Sequence, residues 1–110
     1  MEVKTRILSE DKMRELGFTD YAKDRWFFFR FIKFPRTSRY KYFEISFSLT
    51  IPKNGDKTRL DVLDEDFCQP YDYEMMLEKN PNFEPAKIVK EQVDYWINHL
   101  KDNGIVEEIN

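Results

Sequence analysis

Three groups of side chains in this 110-residue sequence could do chemistry. The first is the single cysteine and the single histidine, Cys68 and His99. A thiol nucleophile needs a base within hydrogen-bond reach, and nothing in their spacing brings the two together. His99 stands three residues beyond Trp96, at the margin of an apolar helical stripe. Cysteine is among the most buried residue types. Core packing is therefore expected for Cys68, and a boundary position for His99. With one residue of each kind, a structural zinc site of Cys and His ligands cannot be assembled within the chain. The second group is the acids Asp61, Asp64, Glu65, Asp66 and Asp72, whose oxygens would suit calcium or magnesium. The register of a calcium-binding loop fails here, because no glycine falls at the required turn. A solvated acidic loop is expected instead, paired to Arg59 or to the basic stretch upstream. The third group is the run Arg25 to Phe34, RWFFFRFIKF, which mixes rings and cations. Bases stack on exposed rings while Arg and Lys neutralise phosphate. The same residues would also serve as aromatic anchors against a protein. Trp26, Phe28 and Arg30 share one face of this strand, and Arg36 and Arg39 follow closely.

The elements that must position these residues follow from hydrophobic periodicity. Val3, Thr5 and Ile7 alternate with polar or charged residues and suit a short edge strand. Ser9 is an N-cap for a two-turn helix that opens on Glu10 and Asp11 and ends at Gly17. Residues 25–34 read as a strand with two apolar faces. Trp26, Phe28, Arg30, Ile32 and Phe34 lie on one face; Phe27, Phe29, Phe31 and Lys33 lie on the other. Both faces should be covered, by the first helix, by the N-terminal segment or by a second chain. Residues 40–51 alternate cleanly. Phe43, Ile45, Phe47, Leu49 and Ile51 point inward, and the other face is wet. Asn54-Gly55 marks a hairpin, and residues 58–63 form the return strand with Leu60 and Val62 inward. Residues 72–79 suit a short helix with Met75, Met76 and Leu77 as its contacts. The last helix begins at Pro85, shows Ile88, Val89, Val93, Trp96, Ile97 and Leu100 on one face, and stops at Asn103-Gly104. Beyond it, Ile105 and Val106 are expected to tuck back. The expectation is an α+β domain spanning residues 1–110. Its order is α-β-β-β-α-α, a three-stranded antiparallel meander with helices on one face. The last helix lies across Phe43, Ile45, Phe47 and Leu49.

Composition narrows the function classes. The chain is 41% hydrophobic, 35% charged and 16% aromatic. No stretch approaches the length of apolar sequence that crosses a bilayer, and so many rings argue against disorder. A lone cysteine and an N-terminus without an apolar core lead us to expect a cytoplasmic protein. The net charge of −3 conceals a split: residues 1–55 carry 12 basic and 7 acidic side chains, residues 56–110 carry 6 and 14. The contrast is sharpest between 23–41 and 61–84, which could face one another. With three glycines there is no material for a phosphate-cradling loop. No catalytic motif is present. Neither a cofactor nor an enzymatic activity is expected.

The run Leu60-Asp61-Val62-Leu63-Asp64-Glu65-Asp66-Phe67, continuing Cys68-Gln69-Pro70-Tyr71-Asp72-Tyr73, resembles small proteins of phages and mobile elements in Gram-positive bacteria. Leu16-Gly17-Phe18-Thr19-Asp20 and Trp26-Phe27 share the resemblance, which covers most of the chain. It implies a cytoplasmic phage or prophage accessory protein and carries over no catalytic residue. The resulting expectation is a non-enzymatic interaction module. Trp26, Phe28, Arg30, Arg36 and Arg39 would contact a protein partner or a second copy of the chain. The alternative is a single-stranded nucleic-acid binder that uses the same strand. Its lack of a strand glycine and its acidic balance weigh against that alternative.

Overall fold

A computed structural model describes residues 3–109. The elements run β1 (Val3–Thr5), α1 (Glu10–Glu15), β2 (Arg25–Phe31), β3 (Ile45–Pro52), β4 (Arg59–Asp64), β5 (Gln69–Pro70), α2 (Tyr73–Lys79), α3 (Glu84–Asp102) and β6 (Val106–Ile109). The fold is α+β. Its main sheet is antiparallel in the order β2-β3-β4-β5, one strand more than the expected meander. β1 and β6 pair separately as a two-stranded antiparallel sheet.

Local chemistry sets each boundary. Ser9 caps α1 by accepting from the Lys12 N–H at 3.3 Å, and Gly17 ends it at φ +99°. Asp72 caps α2 by accepting from the Met75 N–H at 3.1 Å. α2 buries Tyr73 and packs Met76 and Leu77 against the core as expected, whereas Met75 is exposed. Pro85 is the second residue of α3, where a missing N–H breaks no helical hydrogen bond. β3 begins at Ile45, later than the alternation suggested. Residues 36–42 form turns instead, and the Phe43 ring packs on Phe34 and Tyr40 at 6.0 and 5.3 Å. β5 comes from the chain reversing at Cys68, which sits at φ 52°. Cys68 is exposed there, against the expectation of core packing.

Register decides which side of the sheet becomes the core. Trp26 lies opposite Ile51, Phe28 opposite Leu49 and Arg30 opposite Phe47. Leu49 and Phe47 are in turn opposite Leu60 and Val62. This face meets α3 through Val89, Val93, Ile97 and Leu100, all buried. Phe28 meets Phe18, Phe47 and Trp96 at ring-centroid distances of 5.1, 6.3 and 5.6 Å. α3 therefore shares one core with Ile45, Phe47 and Leu49, as its apolar stripe demands, while Phe43 stays at the rim.

Candidate functional site

The structure separates the five residues that sequence reasoning grouped. Trp26 is 1% exposed and Phe28 is fully buried, so neither can anchor a partner while the domain is folded. The reason is the register just described, which pairs their face with the apolar face of β3. Cations complete the cover over Trp26. The Arg14 guanidinium lies 5.3 Å from its ring centroid and the Lys53 ammonium 4.7 Å. Asp20 holds both cations in place, at 3.2 and 3.1 Å. The Lys53 hydrogen bond, aided by Arg14, holds the Asp20 carboxyl below the usual carboxylate range. Arg36 and Arg39 are exposed in the turns after β2, and Arg39 lies 5.9 Å from the Tyr40 ring.

Arg30 is half-buried on the core side of β2, next to the strand's outer edge. Its guanidinium covers Phe28 at 4.2 Å and reaches Trp96 at 5.1 Å, with Nη1 donating to the Phe29 carbonyl at 2.6 Å. None of the ion pairs seen between described residues includes Arg30. Nor does any of them join the basic stretch 23–41 to the acidic stretch 61–84.

The other side of β2 faces solvent. Phe27, Phe29 and Phe31 form a row on the outer face of the sheet, with neighbouring ring centroids 6.1 and 5.0 Å apart. Phe27 is 38% exposed and Phe31 52%. They lie opposite Thr50, Ser48 and Ser46 of β3, and the two serines are buried beneath the neighbouring side chains. The Ser46 hydroxyl donates to Glu65 at 2.5 Å. Asp61 and Arg59, 3.3 Å apart, complete the face. This strand was expected to be covered on both faces; the structure covers one and leaves the phenylalanine row open.

The remaining candidates are dispersed. The Cys68 thiol contacts the Glu65 carbonyl at 3.7 Å, whereas His99 sits beside the Tyr95 and Trp96 rings at 6.3 and 5.7 Å. Four of the five acids hold separate local tasks. Asp64 accepts from the Asp66 and Phe67 N–H groups, Asp72 caps α2, Asp61 meets Arg59 and Glu65 meets Ser46. Among the described residues no three His, Cys, Asp or Glu side chains converge where a metal ion could be held.

A residue that sequence reasoning missed is Gln92 on α3. Its amide bonds both backbone groups of Lys33, with Oε1 accepting from the N–H at 2.6 Å and Nε2 donating to the carbonyl. It thus stands where a neighbouring strand would, at one end of the β2 edge. Two hydrogen bonds of this kind are together worth about 1–2 kcal/mol. Gln92→Ala should lower stability by that amount and speed amide exchange at Lys33, measured by denaturant titration and by NMR.

No protein-family model matches the chain, and no curated protein is recognisably similar in sequence. The fold is similar to that of a DUF1831 family protein from Lactobacillus plantarum known from a crystal structure, with a TM-score of 0.63. The match covers 94% of this chain and 82% of that one at 16% sequence identity, a likeness of fold alone. Among the described residues no helix is long and apolar enough to cross a membrane.

Proposed function

We propose that this chain is a small, non-enzymatic, cytoplasmic interaction module whose contact surface is the exposed side of β2. The observation that carries the reading is the open row Phe27, Phe29 and Phe31. Rings held on a sheet are already ordered, so a partner that covers them gains apolar burial at little entropic cost. Contiguous apolar patches of this kind mark contact sites on soluble domains. Thr50 and the Arg59–Asp61 pair beside the row form the polar rim that contact surfaces carry.

The same rings support a second reading, single-stranded nucleic-acid binding with Arg36 and Arg39 on the phosphates. It is the weaker one, because Asp61 stands in the central row of this face and Arg59 is engaged by that carboxylate. The test is in-cell cross-linking of wild type and of the double variant Phe27→Ser with Phe31→Ser. The expected result is adducts with a protein, or with a second copy, that disappear in the double variant while its melting temperature is unchanged. Adducts identical in both proteins would overturn the reading, and adducts to RNA that vanish in the double variant would replace it with the second.

A further inference from the structure

The outer edge of β2 is closed at both ends and open in its middle. Alternate residues point their backbone groups off the sheet here. Those of Phe27 are both taken by Thr19, at 2.8 and 2.9 Å, and those of Lys33 by the Gln92 amide. Between them stand Phe29 and Phe31. The Phe29 carbonyl accepts from Arg30, but no hydrogen bond among the described residues outside the strand ladders reaches the Phe29 N–H or either backbone group of Phe31. The gap opens on a cleft whose opposite wall is Tyr95 and Trp96 of α3. Two cations, Arg30 and Lys33, line this cleft, and among the described residues no carboxylate does.

We propose that this cleft takes a short, extended, acidic peptide segment of another protein, added to β2 opposite Phe29 and Phe31. The proposal rests on the interaction-module reading and names its partner chemistry. Strand addition supplies main-chain affinity, and side chains on alternate residues supply specificity. In a β-strand those side chains alternate between faces. One acid of the segment meets Arg30 on the helix side of the sheet, and the flanking apolar residues lie on the Phe29 and Phe31 rings on the outer side. Arg30 is suited to this role: its guanidinium is already stacked and partly desolvated, and it enters none of the ion pairs seen between described residues. A small carboxylate ligand would use the N–H donors and leave the Phe31 carbonyl idle, whereas a peptide backbone answers all of the open groups. A second copy of this chain is disfavoured by charge. Antiparallel pairing centred on the gap would set Arg30 directly against Arg30, and like charges in opposed positions repel. Thr19 and Gln92 restrict the added strand to a few residues, so the charges set the affinity.

The experiment is an NMR titration of the isotope-labelled full chain with capped hexapeptides of alternating Glu and Val, of Gln and Val, and of Lys and Val. The Glu-Val peptide should shift the Phe29 and Phe31 amides and the Trp96 indole. The Gln-Val peptide should bind about tenfold more weakly, as expected when a charge-assisted bond is lost. The Lys-Val peptide should leave the spectrum unchanged. Arg30→Met keeps a chain over Phe28 and Trp96 without the charge, and should reduce the Glu-Val response to that of Gln-Val. Lys33→Gln, at an exposed position, should weaken the response a few-fold with folding intact. Equal responses to Glu-Val and Gln-Val, or no shift with millimolar Glu-Val, would overturn the proposal. Its failure is separable from failure of the broader reading: a silent edge with adducts still lost in the outer-face double variant removes the peptide alone.

Discussion

Replacing Phe28 by Ala lowers the free energy of unfolding by about 3–5 kcal/mol, the range for emptying a fully buried phenylalanine site. The ring contacts Phe18, Phe47 and Trp96 and supports the Arg30 guanidinium, so no single neighbour can collapse into the space. Domains of this size have only about 5–15 kcal/mol in total, and the variant should lose a large part of its cooperative transition. Phe31→Ala, three residues further along the same strand, should shift stability by no more than about 0.5 kcal/mol, because its ring is half in solvent already. Denaturant titrations of both variants check the pair. Similar losses at the two positions would contradict the assignment of core and open faces.

Gly17→Ala is expected to cost about 1–3 kcal/mol, and to do so at two levels. The residue sits at φ +99°, a conformation that side-chain-bearing residues adopt only under strain. A β-carbon there would also approach Arg30 Nη2 to 2.6 Å. The guanidinium must then swing away, and its stacking on Phe28 and Trp96 goes with it. The measurement combines a thermal melt with the Trp96 indole resonance. A stability loss with an unmoved Trp96 signal would show that the backbone strain acts alone and that Arg30 is not held by this close approach.

Much of the α+β architecture could be read from periodicity and caps. Ser9, Gly17 and Asn103-Gly104 mark helix ends by chemistry that is local, and the stripe from Val89 to Leu100 states which side of α3 is apolar. The clean alternation of Ile45, Phe47, Leu49 and Ile51 likewise fixes the inner face of β3. β2 offers no such decision. Its two faces are almost equally apolar, and the long connection from Ile32 to Glu44 does not pin the register as a tight hairpin would. The choice between Trp26/Phe28 and Phe27/Phe29/Phe31 therefore depended on a pairing that only the three-dimensional structure supplies. Arg30 added to the ambiguity, since a charge in the middle of a face suggests solvent. It is accommodated because rings and a backbone carbonyl surround it at the sheet's margin. β5 is too short to leave a pattern, and the Gln92 contact with Lys33 joins residues far apart in sequence through a polar side chain that periodicity ignores.

The pairing of β1 with β6 has a kinetic consequence. Val3 lies opposite Ile109, so forming this ribbon closes a loop that includes nearly all of the described chain. The β2-β3-β4 meander closes only short loops, and loop entropy rises with length. Pairings between distant parts of a chain slow folding and are gained late. The terminal ribbon should therefore zip after the meander and α3 have condensed, and open first when the domain breathes. Partial opening would release β1 and β6 while leaving the Arg30 cleft and the phenylalanine row assembled, so recognition at β2 can outlast fraying at the chain's ends.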